Sequence, residues 1–231
     1  MGLATRVLDL VLPVRCPGCG RPAPPPWCPD CGRAAERLLL ADCGYAALDE
    51  DVVAVGVYAY AGVVAEAVRA MKVGGASTAA IGLGQVLRAR VRLPAPAADL
   101  ALTWVPSTPR RLRERGAEIP RLLAGPGARG LLRRVGERPD QTALDAAARR
   151  SNPAGAFTAA GPAPPAVVIV DDVRTTGATA VAAAGALRVA GARRVLVATL
   201  AVAGQQARAS TLPSPRTRSA CRPERASRRP S

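Results

Sequence analysis

The chain contains no histidine, and among its 32 basic residues there is a single lysine, Lys72; the rest are arginine. Without histidine there can be no His-based catalytic triad and no His-ligated metal. Aromatic residues make up only 3% of the sequence. The core must therefore be packed from aliphatic side chains, and the stacking platforms that usually carry single-stranded nucleic acid are scarce. No apolar run reaches the roughly 18 residues of a membrane-spanning helix. The N-terminal stretch MGLATRVLDLVLPVRC is apolar but short and is broken by Asp9. It reads as a small amphipathic helix and not as a secretory signal, so a cytoplasmic location is expected.

What is present begins with charge. A chain of 231 residues carries a formal net charge of +15, which favours anionic partners. The length suits one domain with a small appendage. Residues 1–43 hold five of the six cysteines and a proline-rich loop, and read as a separate small unit. Residues 50–203 read as the main domain. Strands are expected at 52–60, 99–105, 166–170 and 192–200, with helices near 61–72, 78–92 and 177–190, and helical pieces between the Arg-rich segment 110–115 and about residue 150. Strands alternating with helices predict a mostly parallel α/β sheet. Residues 204–231 contain almost no large apolar side chain and carry seven arginines against one glutamate. That composition predicts a disordered basic tail.

Two CxxC pairs, Cys16-Pro-Gly-Cys19 and Cys28-Pro-Asp-Cys31, lie eight residues apart. Each turn brings two thiolates together, and two turns can close a tetrahedral four-thiolate site of the kind zinc prefers. Such a closed site leaves no position for water, so the expected Zn2+ is structural. Disulfide pairing is the alternative, disfavoured in a reducing cytosol. Cys43 and Cys221 stand outside this set.

The densest chemical signal is VVIVDDVRTTGATA, residues 167–180. An apolar strand meets Asp171 and Asp172, followed by Thr175-Thr176-Gly177-Ala178-Thr179 at the start of a helix. Amide groups at a helix start have no intrahelical partner and suit a phosphate. Gly177 permits close backbone approach, and the threonine hydroxyls add donors. Two carboxylates beside an anion cradle are coherent for a ligand that carries both a phosphate and free hydroxyls: the acids accept from a ribose diol and help to hold Mg2+. One of them alone is explained by capping of the turn. The lone Lys72, in MKVGG, places a compact ammonium where every other basic residue is a guanidinium.

VVIVDDVRTTGATA resembles the 5-phosphoribosyl-1-pyrophosphate (PRPP) signature of type I phosphoribosyltransferases. Together with the four-cysteine N-terminus, Lys72-Val73-Gly74-Gly75, VPSTPRRLRERG (105–116), Gln141-x-x-Leu144, and Arg150-x-Asn152-x-x-Gly155-Ala-Phe157, it resembles the ComF family over about residues 10–201. These are competence-associated, phosphoribosyltransferase-like proteins with an N-terminal zinc finger. The resemblance implies a type I phosphoribosyltransferase-like parallel sheet flanked by helices. It implies catalytic roles for Lys72, Asp171 and Asp172, and PRPP contacts from Lys72, Gly74, Asp171, Asp172, Thr175, Thr176, Gly177, Ala178 and Thr179. Arg110, Arg111, Arg113 and Arg115 would lie in or near a loop that covers the site, and Mg2+ would enter with PRPP. The family usually reads RGFNQ where this chain has Arg115-Gly116-Ala117-Glu118-Ile119, and VPLHP where it has Val105-Pro106-Ser107-Thr108-Pro109; these departures bear on the acceptor side of a transfer. The acceptor is unknown. The alternative that the resemblance carries is a non-catalytic component of the DNA-uptake machinery, with single-stranded DNA and the competence helicase as partners.

Overall fold

A computed structural model describes residues 14–73, 77–93, 97–135 and 155–204. The expected N-terminal helix, Gly74, Gln141, Leu144, Arg150, Asn152, Cys221 and nearly all of the basic tail lie outside the described residues.

The architecture is α/β. Five strands form one sheet in the order β1-β2-β7-β6-β3, where β1 is Ala46–Asp49, β2 Val52–Ala59, β3 Leu100–Trp104, β6 Ala166–Arg174 and β7 Arg194–Val202. Only β1 runs antiparallel to its neighbour; β2, β7, β6 and β3 are parallel. The parallel strands are Val-, Leu- and Ala-rich because both faces are covered. On one face α2 (Gly62–Val73), α3 (Ser77–Arg90) and α5 (Ile119–Ala124) bury Val68, Met71, Leu83, Leu87, Ile119 and Leu123 against Val57, Leu102, Val168 and Leu200. On the other, α6 (Ala178–Val189) sets Ala183, Ala184 and Leu187 on Val167, Ile169, Val195 and Val197. A separate antiparallel hairpin, β4 (Leu132–Arg134) with β5 (Phe157–Ala159), adds Leu132 and Phe157 to that second core. Among the described residues no helix is long and apolar enough to cross a membrane.

The strands expected at 52–60, 99–105 and 192–200 and the helices expected near 61–72, 78–92 and 177–190 are found to within about two residues. The helical pieces expected from the Arg-rich segment to about residue 150 are only partly found: Leu132–Arg134 pairs with Phe157–Ala159 as a hairpin instead, and 136–150 lies outside the described residues. The strand that carries the two acids differs as well. β6 does not stop at Val170 but runs to Arg174. Its ladder to β7 continues through Asp171↔Thr199, Val173↔Ala201 and Arg174↔Val202, because backbone pairing is indifferent to side-chain polarity. The two acids therefore sit inside a strand and not beyond its end. The Arg-rich segment is a short helix, α4 (Pro109–Arg115), whose N-cap Thr108 accepts from the Arg111 amide and which ends at left-handed Gly116.

The cysteine unit packs on this frame through α1 (Pro29–Glu36), which lies against α2. Val63 of α2 packs on the cysteine cluster, and Pro25 and Pro26 cover Gly82 of α3. Leu38 and Leu40 exchange backbone hydrogen bonds with Ala59 and Val57 of β2.

Gly84 of α3 meets α5 backbone to backbone: a Cβ there would lie 2.6 Å from the Leu123 carbonyl oxygen and 2.8 Å from its Cα. Backbone atoms cannot rotate aside, so Gly84→Ala is expected to lower stability by about 1–3 kcal/mol, read as a shift in the urea unfolding midpoint. Gly185→Ala, inside a helix and meeting nothing within 4 Å, serves as the control and is expected to leave stability level or raise it by up to about 1 kcal/mol.

Candidate functional site

The carboxyl ends of the parallel strands converge on a cleft of about 410 Å3. Open α/β sheets bind ligands at such ends. Tyr60 follows β2, Val105 to Ser107 follow β3, Asp171, Asp172 and Val173 lie at the end of β6 with Thr175 just beyond it, and Ala203 follows β7; Lys72, Arg111, Arg115, Pro120, Arg134 and Thr179 complete the wall.

The acids differ from one another. Asp172, 9% exposed, forms an ion pair with Lys72 from the last turn of α2, Nζ to Oδ2 2.8 Å. Its other oxygen accepts from the Val173 amide at 2.7 Å. Asp171 accepts from the Asp172 amide at 2.8 Å and forms no ion pair with Lys72. Its carboxyl is held well above the ordinary carboxylate range, first because it is partly withdrawn from water and second because the Asp172 charge stands beside it. The cleft thus contains one neutralised acid and one that resists ionisation.

The threonine loop divides. Thr175 and Thr179 line the cleft. Thr176 instead accepts from the Ala178 amide at 3.3 Å and, with Ala178, faces a groove along α6. Gly177 is the N-cap of α6 with φ 86°, and a Cβ on it would lie 2.9 Å from Leu48. Of the arginines expected near the site, Arg111 and Arg115 line it and Arg113 does not. Arg110 is tied on the surface to Glu114 at 2.7 Å.

Sequence reasoning missed Tyr60 and Arg134. Arg134 donates from Nε to the Pro106 carbonyl at 2.8 Å and stacks over the Phe157 ring at 4.8 Å, so it joins the β4–β5 hairpin to the cleft wall. Nothing local in the sequence marks it, because the contact is made 28 residues away. Glu118, one of the departures from the RGFNQ pattern, accepts from the Ser107 amide at 2.9 Å, and Ile119 beside it is buried. These residues brace the wall between β3 and α4.

A larger groove of about 1080 Å3 runs along α6. Among the described residues it carries no charged side chain, which does not suit a polyanion.

The four cysteine sulfurs, Cys16, Cys19, Cys28 and Cys31, all lie within 4.8 Å of one another. Cys19 and Cys28 sulfurs are 3.7 Å apart, which matches the edge of about 3.8 Å for a thiolate tetrahedron around an ion bonded at ~2.3 Å. The Cys28 amide donates to the Cys16 sulfur and the Cys31 amide to the Cys28 sulfur. The Arg21 amide draws the exposed Cys19 thiol down to about 6, while burial pushes Cys31 up. The cluster can hold a metal ion such as zinc.

No family model matches the chain, and no curated protein matches it.

Two outcomes are expected. Because folded Asp171 holds its proton more tightly than the unfolded chain does, its contribution to stability is present at low pH and is lost as pH rises above the ordinary carboxylate range. Asp171→Asn should therefore gain stability relative to the unmodified chain as pH rises through that interval, as measured by chemical denaturation at a series of pH values. For the cysteine cluster, mass spectrometry of the native protein should show one bound metal ion per chain. Cys28→Ser should lose it and speed hydrogen exchange in residues 16–40.

Proposed function

We propose that the cleft binds PRPP or a related ribose phosphate, and that the protein is a ComF-like, type I phosphoribosyltransferase-like protein with a structural zinc. One observation carries this reading. Lys72, Asp171, Asp172, Thr175 and Thr179, separated by up to about a hundred residues, share a single small cleft with Arg111 and Arg115. A ligand with a phosphate at one end, hydroxyls in the middle and a diphosphate at the other would engage each group by its own chemistry. The threonine loop would hold the 5′-phosphate, Asp171 and Asp172 the ribose hydroxyls, and Lys72 with Arg111 and Arg115 the diphosphate.

In a transfer reaction an acceptor forms a bond to the anomeric carbon while the bond from that carbon to the diphosphate oxygen breaks. The diphosphate leaves with the electron pair, and the acceptor's proton passes to solvent. The chain's contribution is positional and electrostatic. Lys72 and the arginines stabilise the departing charge, and no histidine is required. Mg2+ bound on the diphosphate would offset part of the same charge, with Asp171 and Asp172 the only carboxylates lining the cleft among the described residues.

This reading is preferred to a purely DNA-binding role because several rings are already engaged inside the fold. Trp27 stands edge-on to Tyr58, Arg121 covers Trp104 and Arg134 covers Phe157. Tyr45 and Tyr60 are the remaining rings, so binding of single strands would rest mainly on arginines and would fade steeply with salt.

Isothermal titration with PRPP and Mg2+ should give a Kd in the micromolar range, on the order of −8 kcal/mol. Asp171→Ala combined with Asp172→Ala should abolish the heat. A folded protein that gives no heat would sink the proposal.

A further inference from the structure

We propose that Arg174 sets the affinity of the cleft for the phosphate of its ligand: a buried guanidinium without a counter-ion among the described residues stands at the root of the Thr175–Thr179 loop and raises the positive potential where the anion binds. This inference rests on the reading given above and adds to it a residue that does not line the cleft.

Arg174 is the last residue of β6 and only 7% exposed. Its position is fixed from the backbone: it pairs with Val202 of β7, and its carbonyl accepts from the Ala203 amide at 2.8 Å. Its side chain turns inward, where Nη2 donates to the Gly44 carbonyl at 2.7 Å and Nε has no hydrogen-bond partner. Among the described residues no carboxylate pairs with it; Asp172, two residues back, is already paired with Lys72. Burial disfavours the charged form, but an arginine keeps its proton regardless.

A buried charge without a partner is expensive, and an apolar residue of similar volume in its place is often neutral or stabilising. The cost is offset if the charge is used when a ligand arrives. The next residue, Thr175, lines the cleft, and the loop from Thr175 to Thr179 opens α6. A charge in a region screened poorly by water acts over several ångströms more strongly than an exposed one does. A bound phosphate would therefore provide a counter-charge that the described residues do not. The hydrogen bond to Gly44 also bears on the loop: the chain from Gly44 leads into β1, whose Leu48 abuts Gly177. Charge and bracing are separable by substitution.

The experiment compares Arg174→Met, Arg174→Gln and Arg174→Lys with the unmodified chain. It uses isothermal titration with ribose 5-phosphate at low and moderate salt, alongside thermal unfolding without ligand. The charge role requires Met and Gln to weaken binding by about fivefold or more, Lys to restore most of it, and the melting temperature of Met to stay level or rise. If the unmodified chain does not bind ribose 5-phosphate, the ribose-phosphate reading itself fails. If it binds and the Met and Gln variants bind equally well, the inference about Arg174 alone is overturned. Equal weakening in all three variants, Lys included, also overturns it, because bracing and not charge would then be the cause.

Discussion

Everything at the cleft depends on unequal pairing of one strand. β6 is held on both sides as far as Val170: β3 matches it up to Trp104↔Val170, and the Val105 amide still donates to the Val170 carbonyl at 3.0 Å. The next residue of that chain is Pro106, which has no amide hydrogen to continue the ladder. On the other side β7 goes on for four more residues, to Arg174↔Val202. Asp171 to Arg174 are thus locked in extended geometry by one neighbour and left with an open edge towards the other. That open edge is the cleft. It supplies a rigid placement for two carboxylates without closing water or ligand out.

The charges at this edge are unequally matched. Lys72 satisfies Asp172. Asp171 is kept from ionising by its surroundings and by Asp172. Arg174 is buried against Gly44 with a guanidinium nitrogen unmatched among the described residues, and Arg111 and Arg115 stand on a helix at the wall. A ligand that brings anionic ends and a neutral, hydroxyl-bearing middle meets complementary groups in that order. A simple inorganic anion would use only part of them. The cysteine cluster takes part from a distance: Val63, in the first turn of α2, packs on it, and Lys72 occupies the last turn of the same helix.

The parallel strands and long helices were legible because their apolar runs are long enough to show a period. The strand carrying the two acids was read four residues short, since apolar content ends at Val170 while backbone pairing to β7 does not. β1, β4 and β5 were not legible. They are three or four residues long, and β4 contains Arg133 and Arg134, so no hydrophobic alternation marks them. The acids, the threonine loop, Lys72 and the four cysteines were legible because each is a compact motif whose residue types fit one chemistry. Arg134 and Tyr60 reach the cleft only through long-range folding, and the bracing role of Glu118 depends on an amide eleven residues away. The threonine run was expected to act as one loop; that Thr175 and Thr179 line the cleft while Thr176 accepts from the Ala178 amide could not be read from spacing alone.

The most direct measurement is the electron density in a crystal of the protein soaked with PRPP and Mg2+. The ribose-phosphate reading requires the 5′-phosphate against Thr175 and Thr179, the ribose hydroxyls on Asp171 and Asp172, and the diphosphate beside Lys72 once its pairing with Asp172 has opened. A cleft without ligand density at saturating PRPP, or a ligand seated only in the apolar groove along α6, would contradict it.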